Sequence, residues 1–336
     1  MIHARVLSAG EALVDWVCTE RGVNLALAGT FTKAPGGAPF NLAVALSRLG
    51  VPTAFAGRVG ADPFGTWLRA LLDAEGVDTA LMKTAHDRQT RMAYVVTNRE
   101  GDRELAAFSD VACADAALTV EDLPTGALDA ARVFYFGSLI LQGEPSAGAV
   151  IAAARRVHAG GGLSVFDPNI RPVLWPEEEQ LRAALDAALG VTDLVKLSVE
   201  ELATIAGPGT PEAGAAALMD RYGLAAVVVT DGAAGAGVYT RRGARWVASC
   251  VVEAVEPTGA GDGFLAGLIA SLLAHDDGTN LAARIATLPD AAWDQALRRA
   301  CAVGALATTR AGAITALPTA DELAAFLAAK GSHQGT

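Results

Sequence analysis

The sequence contains no run of about 18 uninterrupted apolar residues, the length a helix needs to cross a hydrocarbon core, which excludes a membrane-spanning helix. It also reads as having no secretory leader, because Glu11 and Asp15 interrupt the apolar stretch behind Met1-Ile2-His3-Ala4-Arg5. Cysteine is scarce. Cys18, Cys113, Cys250 and Cys301 form no C-x-x-C pair and have no histidine at zinc-ligand spacing, so they read as scattered, reduced, structural thiols. Basic clusters are missing as well: 26 Lys and Arg against 37 Asp and Glu give a formal charge of −11, with no run of about five to eight cations. That balance excludes a phosphate-tracking surface for nucleic acid. A small anion stays admissible, since a few backbone N–H groups and one cation can hold it locally. No G-x-x-x-x-G-K-[ST] loop occurs, which removes the P-loop phosphate cradle. The chain is expected to be cytoplasmic.

What is present is core material: of 336 residues, 52% are hydrophobic and 19% charged, enough for one large domain with a minor attachment or for two ordinary domains. Short β-branched runs at 3–8, 51–59, 132–137, 163–167, 193–197 and 225–230 read as buried strands. Between them, Ala/Leu-rich stretches at 40–49, 63–75, 145–159, 177–189, 199–206, 211–222, 261–274, 290–309 and 320–329 read as helices. This alternation implies an α/β fold with a mainly parallel central sheet covered on both faces, binding ligands beyond the carboxyl ends of its strands. Residues 12–35 and 88–110 break the pattern with paired strand-like runs, the second hairpin-like with Gly101 in its turn. They read as a small sheet, either a lid over an active site or an extra edge of the main sheet.

Chemistry concentrates in two Gly-rich loops. In Pro257-Thr258-Gly259-Ala260-Gly261-Asp262-Gly263-Phe264, small residues lead straight into an apolar helix. The first N–H groups of a helix lack intrahelical partners and lie at the positive end of its dipole. Glycine at 259 and 261 lets an oxyanion approach that backbone, and Asp262 stands beside it, placed to accept a hydroxyl proton. The alternative is a Gly-rich turn with Asp262 complementing the dipole. The second loop, Lys33-Ala34-Pro35-Gly36-Gly37-Ala38-Pro39-Phe40-Asn41, precedes a helix, and its Asn41 can both donate to and accept from a polyol or simply open that helix. The string Gly232, Gly235, Gly237 has the wrong spacing for a dinucleotide fingerprint.

Together the two loops resemble the paired motifs of the ribokinase-like (PfkB) carbohydrate kinases. Further matches run from Gly10-Glu11-Ala12-Leu13-Val14-Asp15 to Gly312-Ala313-Ile314-Thr315. Within that family, Lys33–Pro39, Gly137-Ser138-Leu139, Asp167-Pro168-Asn169-Ile170-Arg171 and Lys196-Leu197-Ser198-Val199-Glu200-Glu201 look most like fructokinases. The resemblance implies a single three-layer α/β/α kinase domain over 1–336 with the lid segments inserted in it. It implies phosphoryl transfer from ATP to a ketohexose primary hydroxyl, fructose to fructose 6-phosphate, with Mg²⁺ as cofactor and K⁺ as a further candidate.

By the same resemblance Asp262 is the base and Gly259, Ala260 and Gly261 the anion hole. Asp15, Gly36, Gly37, Asn41, Asn169 and the lid's Arg103 would hold the sugar. Arg171, Lys196, Thr230, Gly232 and Gly235 would border ATP, Val303, Gly304 and Ala307 its adenine, and Glu201 would order water around Mg²⁺. Two positions depart from the family pattern: Ser198 stands for the usual Asn, and Glu256 for the commoner Asp. The alternatives are a 2-keto-3-deoxygluconate kinase, which needs an extra cation such as Arg103 or Arg91, another sugar or nucleoside kinase of the family, or a catalytically silent sugar sensor. Sugar and ATP are the expected small-molecule partners, and a homodimer through the lid the expected assembly.

Overall fold

A computed structural model describes residues 4–99, 103–109, 112–175 and 177–331. In chain order its strands are β1 (Val6–Ala9), β2 (Leu13–Arg21), β3 (Phe31–Gly36), β4 (Thr53–Gly60), β5 (Asp78–Ala85), β6 (Arg91–Thr97), β7 (Arg103–Phe108), β8 (Val133–Gly137), β9 (Leu163–Asp167), β10 (Leu194–Ser198), β11 (Ala226–Asp231), β12 (Gly235–Thr240) and β13 (Gly243–Val247). They make two sheets.

The large sheet has nine strands in the order β13-β12-β11-β10-β9-β8-β1-β4-β5. From β11 to β5 every pairing is parallel, and β12 and β13 extend it antiparallel. Parallel strands are covered on both faces, so both side-chain sets must be apolar. In β8, Val133 and Tyr135 enter one core cluster while Phe134 and Phe136 enter the other. All six expected strands and all nine expected helices form. The strands β5, β12 and β13 and the short helices Thr125–Ala130, Leu281–Ala286 and Ala313–Ala316 were not legible. In β12, Gly235-Ala236-Gly237 carries no β-branched or aromatic signal, although all three are buried.

One core cluster is built around helix Ala260–Leu273, which packs along helix Asp290–Leu306. Glycines set the closeness of that seam. A Cβ at Gly267 would lie 2.9 Å from Val303 Cγ2 and 3.0 Å from the Ala300 Cα, and one at Gly304 would lie 3.2 Å from the Ala260 carbonyl oxygen. Gly267→Ala is therefore expected to destabilise by about 1–3 kcal/mol through overpacking, although alanine is the better helix former. Chemical denaturation checks it, and an unchanged or raised midpoint would remove the steric account.

The two atypical segments form a sheet of their own, ordered β3-β2-β6-β7, and not an extra edge of the main one. Its central pair β2–β6 is parallel and its outer pairs are antiparallel. The expected turn around Gly101 lies outside the described residues, as does residue 110.

Candidate active site

In the large sheet the chain runs outward from β1 in one direction through β4 and β5 and in the other through β8 to β11. That reversal is the topological switch point, where open α/β sheets leave a crevice at the strands' carboxyl ends. Here a cleft of about 1460 Å³ opens between the two sheets. It is lined from the core by Gly137, Ser138, Asp167, Lys196 and the 256–262 loop, and from the small sheet by Asp15, Ala93 and Arg103.

Helix Ala260–Leu273 delivers Asp262 to this cleft. Gly259 caps it at φ 83, where a Cβ would stand 3.1 Å from the backbone of Ala313, so glycine is required on both conformational and steric grounds. The expected anion hole needs one correction. The Ala260 N–H donates to the Pro257 carbonyl at 3.1 Å and is spent on the turn. Among the described residues the amides of Gly259, Gly261 and Asp262 have no acceptor, so the free donors include Asp262's own N–H in place of that of Ala260. A buried cation completes the arrangement. The Lys196 ammonium donates to Asp167 Oδ2 at 2.9 Å and would lie 3.2 Å from a Cβ at Gly261. Burial opposes its charge, yet Asp167, Glu201 and Asp262 outweigh that and hold its pKa above the usual lysine value.

Asp262 Oδ2 accepts from Asn41 Nδ2 at 2.8 Å, which ties the two Gly-rich loops together across 221 residues of sequence. Burial pushes the Asp262 carboxyl up to about 7, helped by the charge of Asp167 and opposed by the Asn41 hydrogen bond, Lys196 and Arg171. A carboxyl near 7 is tuned for general base work at neutral pH.

At the other end, Asp15 projects from β2 against Gly36, where a Cβ would fall 2.4 Å from Asp15 Oδ2. Burial raises Asp15 to about 6 against the pull of Arg103 and Arg171. Gly37, at φ 105, lets the turn pass the Glu11 carbonyl, 2.5 Å from where a Cβ would sit. Arg103 lines the cleft but is ion-paired with Glu256, whose other oxygen accepts the Gly312 N–H at 3.0 Å. Arg91, the other candidate clamp for a carboxylate substrate, is buried in an ion pair with Asp115 at 2.7 Å and does not line the cleft.

Asn169 and Arg171 both line the cleft, Asn169 in left-handed backbone at φ 44, a conformation asparagine tolerates better than most residues. Arg171 makes no ion pair with Glu177 or Glu178 among the described residues. Glu201 is turned into the structure: it accepts the Ile170 N–H at 2.7 Å and the Ser198 N–H at 2.8 Å, and Ser198 Oγ accepts the Glu201 N–H at 3.2 Å. This capping box gives the unusual Ser198 a structural reason.

Thr230, Gly232 and Gly235, at the β11–β12 turn, fall outside the residues that line the cleft. Val303 and Ala307 are corrected more strongly. Both are fully buried in the helix–helix seam, against Gly263 and Gly267, and form no wall of the cleft. Their helix could be read from the sequence, but the face it buries could not. Conversely, Glu11 and Asp167 line the cleft without having been singled out. Asp167 carried a usable signal, a carboxylate at the carboxyl end of a buried strand.

The described residues include no cluster of three or more His, Cys, Asp or Glu able to cage a metal. They do fit a Mg²⁺ that is held mainly by phosphates, since Asp167 Oδ1 is buried without a partner in the cleft.

A switch-point cleft joining a buried carboxyl with a raised pKa, an unsatisfied helix start and a buried ammonium has the equipment that phosphoryl transfer needs. The comparisons agree. The model of the pfkB family carbohydrate kinases matches residues 3–320. A fructokinase of Klebsiella pneumoniae is 41% identical over 322 residues, 96% of this chain and 99% of the relative. The structure of a Xylella fastidiosa fructokinase with bound ATP superposes with TM-score 0.86 at 32% identity, covering 97% of this chain and 98% of that one. A Vibrio cholerae fructokinase bound to fructose, ADP and calcium superposes with TM-score 0.80 at 33% identity, covering 97% and 99%. The chain belongs to the pfkB family of carbohydrate kinases.

Proposed function

We propose that this chain transfers the γ-phosphoryl group of ATP to the primary hydroxyl of a ketohexose, converting fructose to fructose 6-phosphate. The observation that carries this reading is the 2.8 Å hydrogen bond between Asn41 and Asp262 in a cleft bounded by free amides. Asp15, Gly36, Gly37, Asn41 and Asn169 hold the sugar hydroxyls. Asp262 takes the proton of the attacking hydroxyl, and the amides of Gly261 and Asp262 with the Lys196 ammonium stabilise the negative charge on the moving phosphoryl group. Mg²⁺ entering with ATP would neutralise phosphate oxygens on the Asp167 and Glu201 side. Arg171 borders the phosphates. Thr230, Gly232 and Gly235 flank the nucleotide from the neighbouring strand end.

The state of the two arginines favours a neutral sugar. Arg103 is committed to Glu256 and Arg91 to Asp115, while the nearby Asp15 would repel the carboxylate of 2-keto-3-deoxygluconate. The small sheet acts as the lid that shields the phosphoryl group from water, and its outer strands β3 and β7 are the edges through which two copies would pair. No described helix is long and apolar enough to cross a membrane, and we place the enzyme in the cytoplasm.

ADP release measured across fructose, ribose, adenosine and 2-keto-3-deoxygluconate, with K⁺ and with Na⁺, tests the reading. Fructose is expected to give the highest kcat/KM. A preference for the acid sugar would overturn the substrate, and sugar binding with no ADP release would overturn the activity.

A further inference from the structure

The small sheet is joined to the core at four chain crossings, near residues 10–12, 37–38, 86–90 and 112–115. Three buried ionisable side chains, Glu11, Arg91 and Asp115, fasten them. Glu11, only 5% exposed, stands on the first crossing, and its Oε1 accepts the Ala38 N–H on the second at 3.1 Å. Arg91 opens β6 at the third and donates to Asp115 on the fourth. Leu13 and Arg91 are cross-strand partners, so the first and third crossings run side by side.

The hydrogen bond from Ala38 leads to the chemistry. Ala38 begins the helix Ala38–Arg48, the Asn41 N–H donates to the Gly37 carbonyl at 2.9 Å, and Asn41 Nδ2 holds Asp262. Glu11 lines the cleft as well, and its Oε2 is buried with no hydrogen-bond partner among the described residues. We propose that Glu11 is a positioning residue for phosphoryl transfer, acting through the Ala38 amide to hold the Gly36-Gly37 turn and Asn41 in register with Asp262. The proposal rests on the sugar-kinase reading above.

The charges around Glu11 add a pH signature. Burial pushes its carboxyl up to about 8; Asp115 adds to this, while its own amide, that of Ala38 and the Arg91 guanidinium oppose it. The Tyr135 hydroxyl, fully buried, also faces its charge. At neutral pH Glu11 is therefore a neutral acid. Above pH 8 it ionises next to Asp115, with Arg91 already committed, and the crossing must open to hydrate it. The turn that presents the sugar loosens with it.

Steady-state kinetics of the full chain with fructose and ATP, from about pH 7 to 9, test this. Wild-type KM for fructose is expected to rise above about pH 8 while KM for ATP stays level. Glu11→Gln, which cannot ionise and still accepts the Ala38 N–H, is expected to lose that rise. Glu11→Ala should raise KM for fructose about tenfold at pH 7, the scale of one lost buried hydrogen bond, and Glu11→Gln should restore most of it. A flat wild-type profile, a Gln variant that reproduces the rise, or an Ala variant with unchanged KM for fructose would each overturn the proposal. Should the Ala variant not fold, the Gln profile decides alone. Absence of fructose turnover in the wild type would instead refute the kinase reading, so the two failures are distinct.

Discussion

Replacing Asp262 with Asn is expected to lower kcat by roughly 10²–10⁴, the contribution of a positioned general base, while fructose affinity changes less than about tenfold. The substitution is nearly isosteric, and the new amide oxygen can still accept from Asn41 Nδ2, so the sugar site keeps its shape. Because the wild-type carboxyl sits near 7, kcat/KM should fall about tenfold per pH unit below that value, and the residual activity of the variant should lack this limb. Stability should move the opposite way. A carboxyl raised in the fold costs stability once pH exceeds its unfolded value of 3.8 and up to about 7, so the variant should melt higher than wild type above pH 7 and converge with it in acid. Turnover within threefold of wild type, by coupled assay, would dismiss Asp262 as the base.

The second large effect is expected at Lys196. Lys196→Met leaves Asp167, at 1% exposure, as an unpaired buried carboxylate. Breaking such a pair costs about 3–5 kcal/mol, a fall in melting temperature of roughly 4–7 °C for a chain of this size. Turnover should drop at least about 10²-fold, the scale for removing one donor that stabilises a developing oxyanion. The double variant Lys196→Met/Asp167→Asn should bring the melting temperature back towards wild type, and its turnover is read against that of Asp167→Asn alone, which carries the loss of the carboxylate itself but keeps the ammonium. If the double variant turns over as fast as Asp167→Asn, Lys196 serves folding alone.

These effects depend on features that were unevenly legible in the sequence. Buried parallel strands such as Val133–Gly137, and the start of Ala226–Asp231, are continuous apolar runs, and the Gly-rich approach to helix Ala260–Leu273 marks a candidate anion site in the sequence itself. Asn41 and Asp262 could be named because the Gly-rich loops around them are distinctive, and Asp15 through the family resemblance. What stayed hidden depends on long-range direction. Nothing local shows that the Pro257 carbonyl bends back to take the Ala260 amide. Nothing local shows that Val303 faces Gly267 and not a ligand. Glu11 reads as a charge breaking an apolar stretch, and only the meeting of four chain crossings makes it a buried acid. Ser198 stood out in the sequence only as a departure from the family's Asn, and its exchange of hydrogen bonds with Glu201 shows the task it has here.

The seam between helices Ala260–Leu273 and Asp290–Leu306 has a mechanical corollary. With Gly263, Gly267 and Gly304 in close contact with the facing helix, neither rod can roll or slide by the width of a methyl group without collision. The proposed base, Asp262, therefore stands at the start of a helix that is locked against its neighbour. In the proposed cycle the strands bearing Asp15 and Gly36 are the part that travels, bringing the sugar to a proton acceptor that stays still.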